Sequence, residues 1–300
     1  MRRQLLSFAV SLAAAAVVVA VCLGHRAQLE HALDRMPAAV FAGAVALHVI
    51  ALTCRAEAWH TTLGAIDGRG APRRVVHFAS AAGFLAGTVS GHAALPLRML
   101  LVRRLAPRES PALRDMIVAD APIYAIEATV AAALVPLAAG ALGVPTWAAL
   151  LAPVAALALL LVLRHVHGLA GGRGLVRGLA ILAAVRQRRR LLALVLVVSA
   201  CTFARMWLLL AWSGLPNGID HVTLLFVSAG VLSVLPLGPA AGPAAALVAT
   251  GGSHVGAAAA VGLGITGSSV AGVVAYGLGA LLVRVRPPSS QPDHAEFSVQ

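Results

Sequence analysis

Residues 117–141 read IVADAPIYAIEATVAAALVPLAAGA, an apolar run whose only charges are Asp120 and Glu127. A helix crossing the hydrocarbon of a bilayer needs about 20 apolar residues at roughly 1.5 Å rise each, and this run is long enough. The two carboxylates stand two helical turns apart and so share a face. A charge inside a span is disfavoured by about 2.5–3.5 kcal/mol on insertion scales, so each one needs a partner or a purpose. The stretch therefore predicts both a membrane helix and a polar site carried on it.

The rest of the chain fits that class. Of its 300 residues, 60% are hydrophobic and 11% charged, against about 25% charged in an ordinary soluble domain. The formal charge of +12 comes from arginine alone, since no lysine is present. That removes lysine Schiff-base chemistry and a Walker-type GK[ST] loop. The arginines gather where apolar blocks end instead of forming a stripe with aromatics, which speaks for cytoplasmic membrane loops and against nucleic acid. Cys22, Cys54 and Cys201 lie in or beside apolar blocks with no CxxC pair, so they read as small hydrophobes and not as a zinc site or a disulfide framework.

Six blocks are long enough, or nearly so, to span: 5–23, 37–54, 117–141, 146–163, 191–213 and 255–283, the last with Gly264 as a candidate break. The first follows Arg2 and Arg3 and exceeds the roughly 7–15 residues of a signal-peptide core, so it reads as an uncleaved span. Two further stretches, 75–97 and 222–250, are apolar but interrupted by glycine, proline, serine and histidine. Arg55, Arg69, Arg73 and Arg74 precede the first, and Arg98, Arg103, Arg104, Arg108 and Arg114 follow its core. The positive-inside rule places both flanks in the cytoplasm, so the stretch dips in and returns. GLPNGIDH (214–221) has no arginine and reads as outside, while Arg284 and Arg286 read as inside. If 255–283 makes that crossing, 222–250 is a second hairpin from the opposite face; two kinked spans are the alternative.

The expected fold class is therefore an all-α polytopic membrane protein of about six transmembrane helices plus two opposed re-entrant hairpins. It forms a single integral domain, 1–286, followed by a disordered cytoplasmic tail, 287–300. Both termini are expected in the cytoplasm and the chain in the plasma membrane. The loop 164–190 holds seven arginines and is expected to lie on anionic headgroups, with apolar positions 175, 176, 179, 182 and 185 forming an interfacial helix. No cofactor and no metal is implied: HExxH and GxSxG are absent, and His48, His77 and His254 read as packing residues.

Polar residues at membrane depth supply the candidate site. Glu127 lies about 15 Å, and Arg205 about 20 Å, from the cytoplasmic ends of their helices, which suggests an interior ion pair. That pair serves either helix register or a headgroup or proton site. In HFASAAGFLAGTVSGHAALPLRMLLVRR (77–104), Gly83, Gly87 and Gly91 form a GxxxGxxxG ridge for close helix approach. His92 and Arg98 follow the turn, and an arginine fork matches phosphate oxygens. Tyr124 adds a hydroxyl beside Asp120. The candidate substrate-binding residues are thus His92, Arg98, Asp120, Tyr124, Glu127 and Arg205.

Three stretches carry a resemblance. RAEAW (55–59) is similar to an Arg-Ala-x-Arg-Trp stretch. FLAGTVSGHAALPLR (84–98) resembles F-L-N-x-x-L-P-G-R-x-G-E-x-x-R, keeping Phe84, Leu85, Gly91 and Arg98 but placing Ser90, His92 and Leu95 at the proline, arginine and glutamate. LPLGPAAGPAAALV (235–248) resembles L-P-x-P-G-G-x-G-x-x-E, with Ala245 near its glutamate. These belong to the transmembrane, flippase-like region of lysylphosphatidylglycerol synthases and their stand-alone relatives, of which this chain looks like a divergent member. The resemblance implies Asp120 at the family's helix glutamate and Tyr124 at its aspartate. It also implies a non-enzymatic role: translocation of a membrane phospholipid, glycolipid or lipid-linked sugar. A second function class is a non-transporting scaffold for a membrane enzyme of envelope-lipid synthesis, and a third, an intramembrane enzyme, is least favoured because residues able to carry chemistry are too few.

Overall fold

The computed structural model describes residues 36–67, 70–89, 91–169, 185–234, 241–252 and 254–285, together with Glu30 and Asp34, and among them every regular element is helical. Four stretches are long and apolar enough to cross a membrane: Ala38–Ile66, Leu113–Leu142, Gln187–Ser213 and Val255–Leu282. The chain is a helical membrane protein.

Three long helices form the trunk: α1 (Ala38–Asp67), α9 (Val185–Ser213) and α12 (Val255–Val285). α9 runs antiparallel to α1, since Gly43 meets Leu208 near one end and Glu57 meets Arg190 near the other. α12 runs parallel to α1, with Gly267 against Phe41 and Gly272 against His48. A Cβ on Gly272 would lie 2.8 Å from the His48 ring, so only glycine lets these helices come so close. α12 continues unbroken through Gly264, which packs against Leu209 and Met36; the expected break is absent because small residues there serve packing.

α1 corrects the expected block 37–54 followed by a loop. The helix runs on to Asp67 because Arg55 and Glu57 find partners on neighbouring helices and so need no water. Block 117–141 is divided into α4 (Leu113–Val118), α5 (Ala121–Leu134), a 3-10 turn (Val135–Ala138) and α6 (Ala139–Leu142). Pro122 and Pro136 open the second and third of these, where their missing N–H groups are tolerated. α6 ends at Gly143, whose φ of 63° is the left-handed closure favoured by glycine. Block 146–163 becomes α7 (Thr146–Ala149) and α8 (Leu151–Leu169), parted at Leu150.

Both interrupted stretches form helical hairpins. α2 (Arg73–Val89) packs along α3 (Gly91–Leu105), and α10 (Ile219–Val234) along α11 (Ala241–Ala249). In the first, Gly83 and Gly87 face α3: a Cβ on Gly83 would stand 2.8 Å from the Ala94 carbonyl oxygen. α12 contacts α2 with one part and α11 with another, bridging the hairpins. The expected meeting of the hairpin tips falls on Ser90 and residues 235–240, outside the described residues. So do block 5–23, the interfacial stretch 170–184 and the tail 287–300.

Two apolar cores follow. One gathers Trp59, Leu63, Val76, Met99, Val102, Met116, Ile123, Leu191 and Val195; the other gathers Leu209, Leu210, Val222, Leu225, Ala245, Ala258, Val261 and Ile265. The first lies at the end of the bundle where Arg73, Arg74, Arg103, Arg104, Arg114 and Arg188 to Arg190 begin or end their helices. The opposite end carries Met36, the turn at Gly143 and the start of α10. There Asp220 accepts a hydrogen bond from His221, 3.0 Å away, which holds its carboxyl below the usual range.

Candidate functional site

The polar interior is built on α1, whose spacing sorts it. Arg55 and Trp59 stand four apart and share a face, whereas Glu57, two positions from Arg55, turns to the opposite side. Each face carries its own charged assembly.

On the Arg55 face, α5 presents Asp120, Tyr124 and Glu127, a stripe with helical spacing. Arg55 Nη1 donates to Glu127 Oε1, and the Arg55 guanidinium lies 5.2 Å from the Tyr124 ring centre. Arg98, from α3, donates through Nη2 to Asp120 Oδ2 and stacks its guanidinium 3.8 Å from the Trp59 ring centre. Asp120 occupies the residue before α5 yet makes no capping bond. Pro122 supplies no N–H in that first turn, so the carboxylate is left for Arg98. The order Asp120, Arg98, Arg55, Glu127 places two cations beside two anions, and the charge balances. The side chains of Arg98 and Asp120 are only 8% exposed, those of Arg55 and Glu127 23%, and Tyr124 is 57% exposed. The ladder is thus buried at one end and more exposed at the other.

On the other face, Glu57 Oε1 accepts from Arg73 Nε and lies 2.6 Å from His77 Nε2, while Oε2 accepts from Arg190 Nη2 at 3.2 Å. His77 Nδ1 lies 2.7 Å from the Tyr276 hydroxyl. With Glu57 ionised, Nε2–H donates to the carboxylate and Nδ1 accepts from Tyr276. Four helices, α1, α2, α9 and α12, are tied at this one carboxylate and imidazole.

Arg205 stands apart. It is buried, and Nη1 donates to Ser269 Oγ at 3.0 Å.

The expected pair of Glu127 with Arg205 does not form. The antiparallel docking of α9 sets Arg205 beside the middle of α1, near His48, while α5 reaches α1 at Arg55. Arg98 is already matched to Asp120, so its guanidinium is not left free for phosphate alone. Asp120, Tyr124 and Glu127 do come together with Arg98, as their shared face required. The side chain of His92 lies outside the described residues. His77, expected as packing, is instead a hydrogen-bonded member of the Glu57 assembly. Arg55 and Glu57 escape the candidate set because block 37–54 ends 13 residues short of the helix end at Asp67; the Arg55–Trp59 spacing is the signal that could have found them. Among the described residues no group of three or more histidines, cysteines or carboxylates gathers as a metal site would.

Compared with protein-family models, with curated proteins and with solved structures, the chain matches none.

Proposed function

We propose that the chain is a translocase for a membrane lipid or lipid-linked sugar. The observation that carries this is the charge-balanced ladder of Asp120, Arg98, Arg55 and Glu127, buried at one end and open beside Tyr124 at the other. A purely structural ion pair gains nothing from such an opening. A headgroup of phosphate and amine, or a sugar with hydroxyls, can exchange partners with Arg55 and Glu127 there. The resemblance of 84–98 and 235–248 to flippase-like membrane regions supports the same class.

The finer topology belongs to this reading: six spans, two re-entrant hairpins, cytoplasmic termini and a plasma-membrane location. The gathering of arginines at one bundle end supports it through the positive-inside rule, and the glycine- and proline-interrupted sequences of 75–97 and 222–250 suit a midplane site. The arginines of 164–190 face anionic headgroups in this arrangement.

A second reading, a scaffold for a membrane enzyme, is favoured by one feature. The helices α7 and α8 expose Trp147, Leu151, Val154, Leu157 and Val162, an apolar stripe that either lipid or a partner span covers. Reconstitution in liposomes with fluorescent phospholipids and glycolipids separates the two. Lipid movement by the native chain, lost in Glu127→Ala, is the result expected of a translocase; no movement of any lipid by the native chain leaves the scaffold.

A further inference from the structure

We propose that Arg205 is the centre of a second, separate anion site, taking a singly charged phosphate ester from a ligand that the chain itself does not supply. The inference deepens the translocase reading by naming the charge its substrate carries, and it rests on that reading for its purpose, though not for its chemistry.

Arg205 is 5% exposed, its Nε has no hydrogen-bond partner among the described residues, and its Nη1 donates to the Ser269 hydroxyl. Ser269 is neutral, so the guanidinium has no counter-charge from it. A buried cation without an anion is strongly unfavourable in an apolar interior, and buried guanidinium groups are paired almost without exception.

The chain has eleven carboxylate side chains, and each of the nine among the described residues is committed or distant. Glu57, Asp120, Glu127 and Asp220 are held by Arg73, His77 and Arg190, by Arg98, by Arg55 and by His221. Glu30 and Asp34 precede Met36, which packs on Gly264, about 18 Å along α1 from the His48 level where Arg205 acts. Asp67, Glu109 and Asp115 belong to the arginine-rich end, beyond Glu57. Asp293 and Glu296 lie outside the described residues, eight or more positions beyond the end of α12 at Val285. The segments outside the described residues between 1 and 284 contain no other acid, so no helix packed there brings one. Among the described residues no acid meets Arg205, and the anion we assign to it is a ligand's.

Its class follows from the donors. A guanidinium with Nε free and Nη1 already beside a hydroxyl presents a fork for two oxygens plus a third donor, which matches a phosphate better than a point charge would. One cation matches one negative charge, as a phosphodiester carries. Access lies along the α9–α12 seam: Ser269 is partly exposed and its neighbour Val270 faces outward at 40% exposure. Lipid phosphodiester and free phosphate share this chemistry, and the experiment separates them.

The full chain is placed in phosphatidylcholine nanodiscs with or without phosphatidylglycerol, and separately in detergent with inorganic phosphate or with dihexanoyl phosphatidylglycerol. Melting temperature and binding are measured in about 0.5 M salt, where contacts to exposed arginines are screened. Native protein is expected to gain stability from phosphatidylglycerol, and Arg205→Met to bind it about tenfold or more weakly. In phosphatidylcholine alone, Arg205→Met is expected to melt no lower than native, since it removes an uncompensated charge. Arg188→Gln/Arg189→Gln, which alters exposed arginines only, is expected to keep the high-salt effect. Stabilisation by inorganic phosphate equal to that by the short-chain lipid assigns the site to free phosphate. Two outcomes overturn the proposal: a full lipid effect in Arg205→Met, or a melting point in phosphatidylcholine lowered by that substitution with no lipid effect in either protein. None of these readouts measures transport, so a failed translocation assay leaves the site standing, and a failed binding assay leaves the translocase reading to its own test.

Discussion

Arg55 and Glu127, 72 positions apart in the chain, form an ion pair that joins α1 to α5, and next to it Arg98 and Asp120 form another that joins α3 to the start of α5. The two pairs differ in burial, the first being 23% exposed and the second 8%, and their energetics differ accordingly.

Breaking the drier pair is expected to cost more. Asp120→Asn leaves Arg98 as an uncompensated buried cation, with an expected loss of about 3–5 kcal/mol. Glu127→Gln leaves Arg55 at a less buried site, with a loss of about 1–3 kcal/mol. Denaturation of both variants in the same detergent gives the order; equal losses would mean that the ladder is equally dry throughout. A double-mutant cycle of Arg55→Gln with Glu127→Gln should recover part of the single losses, since the two groups touch.

The Glu57 assembly makes its own ordering. Arg73 and Arg190 have largely exposed side chains, so each contributes at most about 1 kcal/mol to holding Glu57. His77 and Tyr276 are mostly enclosed, and Tyr276→Phe should cost about 1 kcal/mol by removing the donor to Nδ1. Thermal melts of Arg73→Gln, Arg190→Gln and Tyr276→Phe check this, with Glu57→Gln expected to exceed each of them because all its bonds weaken together. An Arg73→Gln loss larger than that of Glu57→Gln would contradict the assignment of Glu57 as the hub.

Two glycines of the first hairpin are expected to respond differently to alanine. Helix propensity favours alanine by about 1 kcal/mol at either position. At Gly83 the new Cβ would meet the Ala94 carbonyl at 2.8 Å and Arg98 Cβ at 3.1 Å, atoms that cannot easily yield, whereas at Gly87 it meets only the Ala94 methyl at 3.2 Å. Overpacking of about 1–3 kcal/mol outweighs the propensity at Gly83 and roughly cancels it at Gly87. Gly83→Ala is thus expected to lower the melting temperature and Gly87→Ala to leave it nearly unchanged.

The topology is checked by cysteine labelling. Gly70→Cys and Arg108→Cys, flanking the first hairpin, are expected to resist an impermeant thiol reagent applied to intact cells and to react after the membrane is opened. Labelling of one alone from outside would make α2 and α3 a single crossing.

What the sequence determined by itself were properties that depend on composition and local spacing. The length and apolarity of 117–141 and 191–213, the arginine census and the shared face of Asp120, Tyr124 and Glu127 all hold before any helix meets another, because bilayer thickness and helical pitch are fixed quantities. The ends of α1 and the pairing of charges were of another kind. Whether Arg55 and Glu57 end a helix in water or continue it inside the bundle depends on an acid 72 positions away and on cations of α2 and α9, and a charge remains in an apolar interior only where such partners are present. The tertiary structure alone decided that Glu127 belongs to Arg55, that His77 joins Glu57 to Tyr276, and that Arg205 is left beside a serine. The antiparallel docking of α9 on α1 sets which charges share a level, and a pattern read along one helix carries no information about that register.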